Sequence, residues 1–188
     1  NVEGIWACSN PECSGAEQHA GRNVGKLFRQ HRLTCDACGA RVLELLYCQT
    51  CGELFLGGHR SVDPYGDPEA CYLTPDEPEL ERLPDLAADQ RTHATYALYW
   101  PTDALQPSVT QWSAQGFQMA FRGARFEPQT GALDTAVAPG EPTTGFAFVV
   151  QGEKAAKYPA LPTRCPHCAD NWERVWVGAA EDPGRAIS

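Results

Sequence analysis

Residues 35–52 read CDACGARVLELLYCQTCG, two Cys-x-x-Cys-Gly units joined by a leucine-rich bridge. In such a unit the first cysteine ends a strand and a tight turn aims backbone N–H groups at both sulfurs. The glycine after the second cysteine then accepts positive φ. Each unit supplies half of a tetrahedral metal site, so each needs a partner. Two further pairs are available, Cys8 with Cys13 in CSNPEC and Cys165 with Cys168 in CPHC. The apolar bridge Val42 to Tyr47 holds the central units apart, so each is paired with an outer one. The expected groups are Cys8, Cys13, Cys35 and Cys38 around one Zn²⁺, and Cys48, Cys51, Cys165 and Cys168 around a second. Spacing alone leaves an interleaved pairing open.

Nine cysteines could instead form disulfides, but disulfide scaffolds are usually short secreted chains without repeated Cys-x-x-Cys units. A thioredoxin-like motif would be single and would open a helix. Zinc is the better reading, and a reducing cytosol follows from it. Iron in a rubredoxin-like tetrathiolate is the alternative metal. The ninth cysteine, Cys71, has no sequence partner and lies in acidic surroundings that do not favour a reactive thiolate.

At 188 residues the chain can bury a core of its own, in one domain or two small ones. It has no stretch of 18 apolar residues, so no membrane-spanning helix is expected. It begins with Asn, without the pattern of a signal peptide, and reads as a piece of a longer protein. Eight thiolates and two Zn²⁺ bring the formal charge of −9 to about −13, a poor general attractant for nucleic acid. The acidity is local: residues 61–92 hold nine acids and two bases, whereas residues 1–60 hold six of each.

The pattern predicts a mainly β fold with little helix, built from zinc-ribbon-like knuckles and an inserted small antiparallel β unit. Residues 1–60 form a zinc-ribbon region with three knuckles, and within it residues 23–34 read as an extended hairpin strand. That strand carries Lys26, Arg29 and Arg32 without an acid, a candidate contact for nucleic acid or simply a solvated face near an anionic metal centre. Residues 61–92, with five prolines among the acids, read as an extended loop. Residues 93–160 form the β insert, with strands at 96–100, 117–126 and 145–150. Residues 161–188 supply the closing knuckle, a strand or short helix at Asn171 to Val177, and a tail.

Several chemistries lack their residues. Gly21 to Leu27, GRNVGKL, has neither the spacing nor the Ser or Thr of a phosphate-binding loop. No His-x-Glu accompanies the Pro-containing Cys-x-x-Cys as a zinc deaminase requires. Sites closed by four thiolates leave no open position for water.

The segments GIWACSNPEC, LTCDACGARVLELLYCQTCGELFLGG and CPHCADNW resemble the cysteine-rich region that follows the motor domains in large DEAD/DEAH-box superfamily-2 helicases of the YprA type, with relatives in DNA repair and in anti-phage systems such as DISARM. The resemblance covers roughly residues 1–60 and 160–177. It implies an ATP-dependent parent helicase, with its motor and terminal domains as partners and single-stranded DNA nearby. None of the family's ATP-binding or DEAH motifs is in this chain, so it is not expected to be an enzyme by itself. The alternative is a zinc-stabilised protein-interaction module that docks a partner through residues 61–92 and never touches DNA.

Overall fold

Runs of aromatic, β-branched and leucine residues alternate with turn-forming Gly, Pro and Asp, a pattern that favours short strands. In the computed structural model, which describes residues 4–61, 71–76 and 91–171, these runs form β1 (Trp6–Cys8), β2 (Leu27–Phe28), β3 (Val42–Tyr47), β4 (Leu54–Ser61), β5 (Tyr72–Thr74), β6 (Tyr96–Pro101), β7 (Gln111–Ala114), β8 (Phe117–Glu127), β9 (Ala132–Asp134) and β10 (Gly145–Gln151). The one helical turn among the described residues is 3₁₀, at Ala155–Lys157. The fold is mainly β, as the sequence predicts. No helix among these residues is long and apolar enough to cross a membrane.

All pairings are antiparallel, and six strands close a ring in the order β4, β5, β9, β8, β10, β6 and back to β4. Two long strands make closure possible by dividing one edge between two partners. β4 pairs with β3 through Leu54–Gly57 and with β5 through His59–Ser61, while its other edge meets β6. β8 does the same with β7 and β9 and gives its other edge to β10. Strands β1 and β2 extend the sheet beyond β3 as a wing.

Side chains alternate across each strand, so a closed ring sorts them into two cores. Leu56, Leu73, Ala97, Tyr99, Ala124, Phe126, Leu133 and Ala147 fill the barrel. The opposite faces carry Phe55, Tyr96, Leu98, Trp100, Met119, Phe121, Phe146 and Phe148, a second core covered by Trp112 of β7 and by Ala155, Tyr158 and Leu161. Buried on both faces, β6 has no exposed residue. Trp112 stacks on Phe148 at 5.9 Å, and Trp100 lies 5.6 Å from Phe146.

Closure depends on a close approach at Gly57. A Cβ there would stand 1.9 Å from the Tyr96 hydroxyl oxygen. Tyr96 passes over this gap to donate its hydroxyl to Glu44 Oε2 at 2.7 Å, and Arg91 donates to the same oxygen at 2.6 Å. One carboxylate thus ties β3 to β6 across β4.

Two expectations change. Residues 23–34 do not form one strand: only Leu27 and Phe28 pair in a ladder, because neighbouring backbone groups serve the first knuckle. Cys8 N–H donates to the Lys26 carbonyl at 2.9 Å, and Gly25 N–H donates to the Cys8 carbonyl at 2.7 Å. Sheet also enters the stretch expected to be loop, where Tyr72–Thr74 forms β5 and Leu73 is buried in the barrel. The rest of the acidic stretch, at 62–70 and 77–90, and the expected element at 172–177 lie outside the described residues.

Candidate metal centres

Three Cys-x-x-Cys turns share one backbone design. In the first, Cys35 N–H donates to the Ala40 carbonyl at 2.8 Å and Gly39 N–H returns to the Cys35 carbonyl at 2.9 Å. Cys48 repeats it with Glu53 and Gly52, and Cys165 repeats it with Asp170 and Ala169. The turn needs positive φ at its close, and Gly39 and Gly52 take it at 73° and 77°. Ala169 takes the same place at φ 60°, a conformation that costs an L-residue about 1–2 kcal/mol. The remaining pair is held differently: Cys13 N–H donates to the Asn10 carbonyl at 3.1 Å, and Asn10 Oδ1 accepts from Glu12 N–H at 3.0 Å.

The eight sulfurs fall into two groups of four, Cys8 with Cys13, Cys35 and Cys38, and Cys48 with Cys51, Cys165 and Cys168, all within 4.8 Å of one another in each group. The grouping follows neighbour order in the chain and is not interleaved. The short sulfur distances are 3.5 Å for Cys8–Cys38, 3.6 Å for Cys13–Cys35, 3.8 Å for Cys51–Cys165 and 3.9 Å for Cys48–Cys168. A tetrahedron with Zn–S bonds of about 2.3 Å has edges of about 3.8 Å, so both groups have the size that such an ion requires. All nine cysteines are free thiols. These distances are far longer than the roughly 2.05 Å of a disulfide.

The surrounding groups prepare some thiols for ionisation and oppose it in others. Burial strongly raises the Cys8 and Cys165 thiols. Burial also works against Cys13, but N–H groups of Lys26 and Gly15 outweigh it and bring the thiol to about 7. At Cys48 burial is again outweighed, by the N–H groups of Cys51 and Thr50, and the thiol is lowered. Burial takes Cys51 up to about 11. Four thiols packed without a cation repel further ionisation, and a divalent ion removes that penalty.

Each group joins a knuckle to the barrel. At the first, Arg41 N–H donates to the Pro128 carbonyl at 2.7 Å in the β8–β9 turn, and Gln129 reaches the Cys38 carbonyl at 3.4 Å. At the second, Ser108 N–H and hydroxyl donate to the Pro166 and His167 carbonyls, both at 2.7 Å. Trp100 Nε1 donates to Glu53 at 3.0 Å, just after the Cys51 turn.

The basic stretch is not acid-free in space. Lys26 and Arg32 meet the carboxylate of Asp36 at 2.9 and 3.2 Å, and both lie over the Phe28 ring. A hydrogen bond from Lys26, with the charge of Arg32 behind it, lowers the Asp36 carboxyl below its ordinary range. His31 pairs with Asp76 at 2.7 Å, whereas Arg29 is exposed. Asp36 lies inside the knuckle, at the position after Cys35. Cys71 belongs to neither group; its half-buried thiol accepts from Arg60 at 3.3 Å and is raised by burial.

The sequence matches the family described as the YjiV N-terminal domain over residues 27–178. The chain belongs to that family. Six of the eight grouped cysteines fall inside the match, together with the strands between Cys51 and Cys165, and only Cys8 and Cys13 precede it. No curated protein and no solved structure matches the chain.

Proposed function

We propose that this domain is a two-zinc structural module of an ATP-dependent DNA helicase or translocase that works in repair or anti-phage defence. It holds motor and terminal domains in register and works in a reducing cytoplasm. The observation behind this reading is the pair of four-cysteine groups, each of tetrathiolate size and each tying a knuckle to a closed barrel. Closed tetrathiolate sites favour scaffolding over catalysis, because they leave no position for a substrate or an activated water. The parent helicase rests on the resemblance of the cysteine segments and not on the barrel.

Single-stranded DNA is the proposed neighbour of the face bearing Lys26, Arg29 and Arg32. The Asp36 pairing favours a second reading, a protein-interaction module, since two of those three cations already have a carboxylate. Elemental analysis should find two zinc ions per chain in protein prepared without added metal. Single-stranded DNA titration across salt then separates the readings. Under the first, Arg29→Glu with Arg32→Glu weakens binding and reduces the salt slope by about one for each lost phosphate contact. A double variant that binds DNA as the parent does, with the same slope, removes DNA contact from the proposal.

A further inference from the structure

The two cysteine groups differ in what surrounds them. In the first, Cys8, Cys13 and Cys35 are buried and Cys38 is half-buried, with Lys26 and Arg32 held beside the knuckle by Asp36. In the second, Cys51 is exposed and Cys168 is half-buried. Beside that second group stand two carboxylates, Asp170 and Glu53, together with His167 and with Arg164 next to Cys165. Asp170 accepts from Thr50 at 2.5 Å, and Glu53 binds Trp100 and stands 3.9 Å from His167. A tetrathiolate with Zn²⁺ carries a formal charge of −2, which nearby cations offset and nearby carboxylates increase. The second ion is held by a set of sulfurs that includes one open to solvent, Cys51, whereas no sulfur of the first group is exposed.

Resting on the zinc reading, we propose that the second group is an oxidant-reactive site: a neutral peroxide modifies Cys51, and the ion held there is released while the first group keeps its own. Peroxide suits the site because it carries no charge for the carboxylates to repel, and because zinc keeps the exposed sulfur as thiolate, the nucleophilic form. The Cys51 sulfur attacks one peroxide oxygen, the O–O bond breaks, and hydroxide leaves, giving a sulfenic acid. The Cys165 sulfur, 3.8 Å away, then attacks the Cys51 sulfur; the S–O bond breaks and a second hydroxide leaves. Two protons from the buffer acid convert the hydroxides to water. Peroxide gains two electrons, each sulfur gives up one, and Zn²⁺ departs with its charge unchanged. The new bond joins the same two segments that the ion joined, so the β3–β4 turn stays fastened to the last knuckle.

The test is hydrogen peroxide added to zinc-loaded protein, with released zinc read by a chromogenic chelator and thiols mapped by alkylation and peptide mass. The expected first phase frees one of two zinc equivalents, consumes two thiols, and yields a Cys51–Cys165 disulfide with Cys8, Cys13, Cys35 and Cys38 still reduced. Cys71→Ser, which lies outside both groups, should give the same first phase. Both ions leaving together, or a first disulfide that lacks Cys51, overturns the proposal. Protein that contains no zinc before peroxide is added overturns instead the metal reading beneath it.

Discussion

Ala169 shows how a single position departs from the pattern of its neighbours. The turn it closes has the same two hydrogen bonds as those closed by Gly39 and Gly52, yet its Cβ stands in the left-handed region at φ 60°. Replacing it with glycine removes about 1–2 kcal/mol of backbone strain and adds about 0.4–1 kcal/mol of unfolded-state freedom. Strain relief is the larger effect, so Ala169→Gly should stabilise the protein by up to about 1.6 kcal/mol, read as a higher denaturant midpoint with an unchanged slope. The reverse change, Gly52→Ala, should destabilise it. At this scale the sequence was largely legible, because the metal chemistry requires cysteine at fixed spacing and the turn prefers glycine after it. Lys26 and Arg32 were less so. Their charge was plain, but Asp36 becomes their partner only when the knuckle folds back on β2.

Strands were legible where their cores are continuous. The runs at 96–100, 117–126 and 145–150 correspond to β6, β8 and β10. The sequence does not announce β5, β7 and β9, because they are short and their pairing is decided by β4 and β8, whose edges they share. The segment entering β6 carries a pH-sensitive contact of this kind. His93 Nε2 accepts the Val150 N–H of β10 at 3.4 Å, while its ring packs edge-on against Phe148. Burial, aided by the charge of Arg60, lowers its pKa from 6.5 to about 4. The unfolded chain therefore binds a proton between those values that the folded chain refuses. The stabilisation is fully present above about pH 6.5 and is lost as pH falls toward 4, at most about 3 kcal/mol. Urea unfolding at pH 7 and 5, with metal content followed in parallel, should show the loss. His93→Phe should flatten it.

Barrel closure was beyond the reach of pattern reading, because alternation says which face a residue takes and not which strand lies beside it. All six strands of the ring lie between Cys51 and Cys165, and β4, which comes from the zinc-ribbon region expected at residues 1–60, pairs with β6 of the insert. The two cysteine groups stand at opposite ends of β3, Cys35 and Cys38 before it and Cys48 and Cys51 after it. If each holds zinc, its binding energy is folding energy, on the order of 10 kcal/mol per site by zinc-finger precedent, comparable to the whole stability of a domain. Cys48→Ser should therefore unfold the chain rather than tune it, with loss of the near-ultraviolet signal of buried Trp100 and Trp112. A folded variant that keeps two ions excludes Cys48 as a ligand.

The separation of the two halves of the second group also orders events during synthesis. Cys13 and Cys35 are 22 residues apart, so the first four sulfurs can meet while most of the barrel is still to be made. Cys51 and Cys165 are 114 residues apart. At translation rates of about 5–20 residues per second, Cys48 and Cys51 wait roughly 6 to 23 s for their partners to be polymerised. During that interval the nascent chain presents an open dithiol, and the ring stays incomplete until β10 (Gly145–Gln151) is made to join β8 to β6. A chaperone or a transient metal donor would have its longest opportunity there.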